Sequence, residues 1–341
     1  MKPLLSIQYL RAFAALAVVL FHACQWADVD FDIGAGGVDL FFVISGFLMW
    51  AITQDPQVTP AGFLWRRITR VAPLYWVATL VLAAMALAWS RLIPQVKVEP
   101  AHVLLSLAFI PHLDPAGLPF PLLPPGWSLD YEAILYQIFA LALMGPRRWR
   151  FAAVLSALGL ITLTGLVFRS LFPLFANPLM LEFAAGIVMA RVMAPQVGGP
   201  QLIEKGRRPS FGMSWSFIAL GLTIFALLKL LGIHSDIGRW LLWGGPAVLI
   251  MAGALGVEGA GGLPRSRALK KIGDASYSIY LCHWPIIAVI AKLAGAHHPW
   301  WLIPVVVGAS LAAGLAARQV LEKPLIRLLR AGDPKPVFSV P

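Results

Sequence analysis

The chain has 341 residues, 59% of them apolar and only 13% charged, with a mean hydropathy of +0.77 and a formal net charge of +11. Ordinary soluble domains run about 45–50% apolar and about 25% charged, so a soluble enzyme, a disordered chain and a coiled coil are excluded. The positive charge does not call for nucleic acid as a partner, because basic loops on one face of a membrane protein give the same excess.

A membrane-crossing helix needs roughly 20 apolar residues. Ten stretches qualify, at about 4–25, 37–54, 71–90, 127–145, 151–168, 177–194, 213–232, 240–257, 274–294 and 300–320. The first lacks a small-residue cleavage site and carries Arg11 and His22, so it reads as a span and not a cleaved signal. One set of loops holds Arg66, Arg67 and Arg70; Arg147, Arg148 and Arg150; Lys205, Arg207 and Arg208; and Arg265, Arg267, Lys270 and Lys271. The tail adds Lys323, Arg327, Arg330 and Lys335, whereas the opposite loops hold only Arg91, Lys97, Arg169 and Arg239. That alternation predicts both termini in the cytoplasm and segment 91–126 outside. The apolar piece 102–112 is too short to span, and the prolines and glycines after it mark an outer re-entrant or capping loop. The expected architecture is an all-α polytopic membrane protein of about ten transmembrane helices, with a membrane domain over 1–325 and a short basic tail over 326–341. Cys24 and Cys282 form neither a disulfide framework nor a CxxC pair, and no metal is expected.

An ionisable side chain in hydrocarbon costs roughly 2.5–3.5 kcal/mol on insertion scales, so it is usually paired or functional. Arg11 and His22 lie on one helix, about 16 Å apart at 1.5 Å per residue, and eleven residues complete about three turns, so the two share a face. The bland alternative has Arg11 snorkelling to headgroups and His22 at the interface. Asp39 opens the second span, at the depth of His22; it either fixes the imidazole tautomer or caps its own helix. Glu132, in the first two turns of span four, is expected at that depth too, with Asp130 nearer solvent. His283 sits mid-span in a dense polar run before Pro285. Arg66, Arg67 and Arg70, at helical spacing before Pro73, converge either as a phosphate-binding set or as a plain positive-inside anchor.

Taken in order, these blocks resemble one family. Arg11-x10-His22 is followed by Gly37-Val38-Asp39-Leu40-Phe41-Phe42-Val43-Ile44-Ser45-Gly46-Phe47, then Arg66-Arg67-Ile68-Thr69-Arg70 with Pro73 and Tyr75. Trp127-Ser128-Leu129 with Glu132 and Tyr136 comes next, then Ser276-Tyr277-Ser278, Tyr280-Leu281, His283-Trp284-Pro285 and Glu322-Lys323-Pro324. Over residues 6–325 the chain resembles the acyltransferase-3 family of integral membrane acyltransferases, and its opening, Ser6-Ile7-Gln8-Tyr9-Leu10-Arg11-Ala12, is most similar to the exopolysaccharide-production branch. The larger members' fused esterase-like domain is absent from the sequence.

The resemblance implies transfer of an acyl group, usually acetyl, from cytoplasmic acyl-CoA (acetyl-CoA) to a hydroxyl of an extracytoplasmic or membrane-presented glycan. It carries over Arg11, His22, Arg66, Arg67, Arg70, Glu132, Tyr280 and His283. Such chemistry needs a base and relief for a developing oxyanion. The expected roles are His22 as general base oriented by Asp39 or Glu132, and Arg66, Arg67 and Arg70 on the nucleotide phosphates. Arg11 is expected along the pantetheine path, with Trp127, Ser128, Tyr280 and His283 as substrate or structural support. Direct transfer and an acetyl-histidine intermediate both stay open. The expected setting is the inner cell membrane, with the bilayer, acyl-CoA, a glycan acceptor and polysaccharide-assembly machinery as partners. The competing class is a multi-pass transporter or glycan exporter, with Arg11, His22 and His283 as a relay; the absence of an internal repeat argues against it.

Overall fold

The computed structural model describes residues 4–88, 96–169, 175, 178–193, 209–233, 238–295 and 299–331. Expected basic residues Arg91, Lys205, Arg207, Arg208 and Lys335 lie outside the described residues. The elements are α1 (Leu5–Trp26), α2 (Gly36–Thr53), α3 (Pro60–Ala88), the short α4 (Pro100–Leu107), α5 (Trp127–Met144), α6 (Arg147–Val167) and α7 (Met180–Met193). They continue with α8 (Phe211–Leu230), the single turn α9 (Arg239–Leu242), α10 (Gly244–Gly259), α11 (Arg267–Asp274), α12 (Ser276–Ala294), α13 (Ile303–Ala317) and α14 (Lys323–Leu329). A π turn, Arg318–Glu322, joins the last two. No strand occurs among the described residues.

Among the described residues, eight helical stretches are long and apolar enough to cross a membrane: 5–26, 32–53, 60–88, 147–167, 211–230, 239–259, 276–294 and 300–329. The two remaining expected spans are also helices, but α5 has 18 residues and carries Asp130 and Glu132, and α7 has 14. Helices α6, α8 and α13 turn Leu160, Leu163, Leu222, Leu227 and Val305 outward, all exposed. An outward face this apolar is stable against lipid tails and not against water. The chain is a multi-pass membrane protein.

Two features position the site. First, α2 runs through the middle of the bundle, and α7 crosses it at very short range. A Cβ on Gly186 would lie 2.1 Å from the Val43 carbonyl, and one on Gly46 would lie 2.1 Å from that of Phe183, so only glycine allows the approach. Second, α3 starts at Pro60, eleven residues before the expected span. Proline suits a helix's first turn, where its missing N–H costs nothing. Arg66, Arg67 and Arg70 are therefore ordinary interior positions of a long helix and not a loop before it.

The ends of α1 are fixed as well. Glu258, from the end of α10, accepts the Leu5 and Ser6 N–H groups at 2.8 and 3.1 Å, satisfying donors that a helix start leaves unpaired. At the other end, segment 96–126 folds back over the bundle. Its eight-residue α4 is too short to cross. The Trp76 indole N–H of α3 donates to the Leu107 carbonyl at 2.8 Å, and Leu122 N–H donates to Ser106 Oγ at 2.9 Å. His102 Nδ1 and His112 Nε2 lie 2.7 Å apart within this cap. The bundle thus has an arginine-rich face, where α1 and α3 start, and a loop-capped face.

Candidate active site

Three adjoining cavities run between those faces. A mouth of about 300 Å³ opens on the arginine-rich face, lined by Arg66, Arg67 and Arg70 of α3 and by Arg318, Glu322, Lys323, Arg327 and Arg330. A narrower central cavity of about 90 Å³ shares Arg67 and Arg70 with it and adds Arg11, Ser45, Ser128, Glu132, Tyr136, Ser276, Tyr277 and Tyr280. An outer cavity of about 540 Å³ shares Val38 and Tyr280 with the central one and holds His22, Gln25, Lys97, His102, Asp114, Trp127, Arg239 and Trp284.

Arg11 and His22 share a helix face, as the period requires, and both lean on α12. The Arg11 Nε–H donates to Ser276 Oγ at 3.1 Å. His22 Nδ1 lies 3.1 Å from the Val18 carbonyl and 3.2 Å from His283 Nε2. A carbonyl only accepts, so Nδ1 carries the hydrogen, and Nε2 of His22 is left with a free lone pair. If Nε2 takes a proton, the charge that appears on the ring meets two acceptors at Nδ1, the carbonyl and the wholly buried His283. The Trp284 ring meets His22 edge-on, with centroids 5.2 Å apart, which limits its rotation.

Tyr280 stands between the central and outer cavities. Its hydroxyl donates to the Pro125 carbonyl at 2.9 Å and lies 2.9 Å from Ser128 Oγ. Gly126 allows this turn to sit on Tyr75, since a Cβ there would lie 2.6 Å from the tyrosine ring. Trp127 packs edge-on against Phe42 and Tyr131 at the wall of the outer cavity. Arg67 is buried with its guanidinium 5.8 Å from the Phe63 ring and 5.9 Å from the Tyr136 ring. Aromatic faces hold a cation in a low-dielectric site without neutralising it. Among the described residues, no group of three or more His, Cys, Asp and Glu is placed to hold a metal ion.

With this geometry, comparison with known sequences decides the family. The sequence profile of the acyltransferase-3 family, an acyltransferase domain, matches residues 4–318. The chain belongs to the acyltransferase-3 family. It is 38% identical to the exopolysaccharide production protein ExoZ of Rhizobium meliloti, over 92% of this chain and 96% of that protein. It is 25% identical to the acyltransferase MdmB of Streptomyces mycarofaciens, over 98% of this chain and 94% of that one. The O-acetyltransferase OatA of Staphylococcus aureus is 26% identical over 82% of this chain, which spans 50% of that longer protein. No solved structure matches the chain.

Within this acyltransferase-3 bundle, two sequence expectations need correction. Neither Asp39 nor Glu132 is among the hydrogen-bond partners of His22. Asp39 is wholly buried and accepts from Arg239 Nη2 at 2.7 Å and Nε at 3.1 Å, so a bidentate cation partner takes both its oxygens. Glu132 faces the central cavity, with Arg11, Arg67 and Arg70, and accepts from Ser45 Oγ at 2.9 Å. The ring expected to need a carboxylate is held by His283 instead.

Other residues escaped the sequence reading. By sequence Arg239 reads only as a loop charge, yet it faces the outer cavity with His22. Glu182 lies buried beside Asp39, brought there by the glycine crossing of α2 and α7. By sequence Lys323, Arg327 and Arg330 read as tail charges and Arg318 falls within the expected span 300–320, and the structure sets all four around the same mouth as Arg66, Arg67 and Arg70. The only prior signal was Glu322, inside a block similar to the family and one helical turn from Arg318.

Proposed function

We propose that this chain is an O-acyltransferase of the inner cell membrane, moving an acyl group, acetyl, from cytoplasmic acyl-CoA to a hydroxyl of an extracytoplasmic or membrane-presented polysaccharide. The observation that carries the reading is the row of adjoining cavities from a cationic mouth to the unengaged Nε2 of His22. The names of two relatives support it, one an exopolysaccharide production protein and one an O-acetyltransferase. The arginine-rich face is cytoplasmic in this reading, by the positive-inside rule.

The donor enters thioester first. Arg66, Arg67 and Arg70 hold its phosphates, as guanidinium forks suit phosphate oxygens. The acyl arm passes Arg11 and Tyr280 and brings the thioester carbonyl to the outer cavity, where the glycan hydroxyl lies against His22. His22 Nε2 takes the hydroxyl proton as the oxygen attacks the carbonyl carbon. The tetrahedral intermediate then collapses, the carbon–sulfur bond breaks, and the imidazolium returns the proton to the departing CoA thiolate. His283 is a positioning residue that accepts from Nδ1–H throughout. Acceptor glycans reach the site from polysaccharide-assembly machinery on the outer side.

Release of free CoA thiol tests the reading directly. Purified protein given acetyl-CoA and a membrane glycan extract should liberate thiol in proportion to glycan acetylation. Solute movement with no thiol release would instead support a transporter.

A further inference from the structure

The mouth holds more positive charge than a diphosphate needs. Three cations come from α3, and four more come from the last helical segment: Arg318, Lys323, Arg327 and Arg330. The single carboxylate there among the described residues, Glu322, is already engaged by Arg318 Nη1 at 3.0 Å and by the Ser278 hydroxyl. A diphosphate carries about two negative charges and a terminal phosphomonoester about 1.5 to 2 more.

The local fold is built to aim these cations. Helix α13 continues into α14 through the π turn Arg318–Glu322. One extra residue in a turn rotates everything after it by about 100°. Lys323 and Arg327, one helical turn apart, thereby line the mouth and do not face lipid. Arg330 clips the segment to α3: its Nε–H donates to Thr69 Oγ1 at 2.9 Å and its Nη2 to the Arg66 carbonyl at 2.5 Å. Arg67 and Arg70 also line the central cavity and so mark the throat; Lys323 and Arg327 do not, and Arg327 is exposed, so these two mark the rim.

We propose that Lys323 and Arg327 form a subsite for the phosphomonoester at the nucleotide end of the donor, the 3′-phosphate of CoA. The proposal rests on the acyl-CoA reading above. A donor threaded thioester first leaves that phosphate farthest from the throat, at the rim. A fork and a point charge one turn apart suit a dianionic group. The subsite makes the chain selective for CoA over dephospho-CoA.

Calorimetric titration of the full chain in phosphatidylcholine nanodiscs tests this, with CoA and dephospho-CoA as probes. The wild type should prefer CoA by at least about tenfold, the yield of one charge-assisted contact. The double variant K323Q/R327Q should bind CoA only as well as the wild type binds dephospho-CoA, and the single variant R327Q should fall between. An unchanged preference in the double variant, or equal binding of both probes by the wild type, overturns the proposal and leaves the donor reading standing. Binding of neither probe by the wild type overturns both. Repeating the titration with phosphatidylglycerol present separates the phosphate sources: loss of the CoA preference there assigns the rim to lipid headgroups and overturns the nucleotide subsite.

Discussion

The positioning role proposed for His283 rests on its contact with His22. His283 is wholly buried, and its Nε2 lies 3.2 Å from the Nδ1 of His22. When His22 Nε2 takes a proton, the ring becomes a cation whose Nδ1–H is shared by His283 and the Val18 carbonyl. Replacing His283 by Leu keeps bulk at the site and deletes the acceptor. A hydrogen bond to a charged group contributes about 1.5–3 kcal/mol, and water does not reach this position to replace it, so kcat should fall about 10- to 150-fold. The KM for acetyl-CoA should hold steady, because His283 touches no part of the mouth. His283→Gln offers an amide oxygen near the lost nitrogen and should recover a good part of the rate. The assay is steady-state glycan acetylation by variants matched for folded yield in detergent. A His283→Leu enzyme within twofold of wild-type kcat would refute the positioning role, and so would an equal loss in the Gln variant.

Three other outcomes follow from the packing. Asp39→Ala leaves the Arg239 guanidinium without its bidentate carboxylate and should cost about 3 kcal/mol, read as a lower thermal midpoint; the pair Asp39→Asn with Arg239→Gln should recover part of it. Gly186→Leu drives a side chain into the Val43 carbonyl, 2.1 Å from an ideal Cβ, and should abolish the folded fraction on size-exclusion chromatography. In the cap, burial first and the neighbouring His112 second hold His102 below the ordinary histidine pKa of about 6.5. Above that pH both the folded and the opened cap are neutral there, so its stability is full. As the pH falls toward the lowered value, the opened cap binds a proton that the folded one refuses, and stability is lost. Limited proteolysis of segment 96–126 should therefore speed up between pH 7.5 and pH 5, and His102→Gln should flatten that response.

Much of this was legible in the sequence because it is local. Hydropathy located the helices, since a lipid-facing surface must be apolar over each whole span, as the outward leucines of α6 and α8 show. The 3.6-residue period put Arg11 and His22 on one face, and both indeed meet α12. Pairings between distant helices were not legible. Asp39 and Arg239 are 200 residues apart, and Arg330 and Thr69 are 261 apart, so only packing decides that they meet. The direction in which Glu132 points was not legible, because counting turns from a helix start gives height along the axis and not the side on which a carboxylate faces. That the C-terminal cations share a cavity with Arg66, Arg67 and Arg70 was not legible for a related reason: a run of basic residues carries no sign of which way it faces until the π turn aims the helix.

If His22 carries out acyl transfer across the bundle, its loss must stop labelling of the glycan. Inside-out membrane vesicles bearing wild-type or His22→Ala protein, given labelled acetyl-CoA on the cytoplasmic face with host glycans present, test it most directly. Label should reach glycan within the wild-type vesicles and be absent with His22→Ala at equal protein. Equal labelling in both, or no labelling with a verified host glycan, would contradict it.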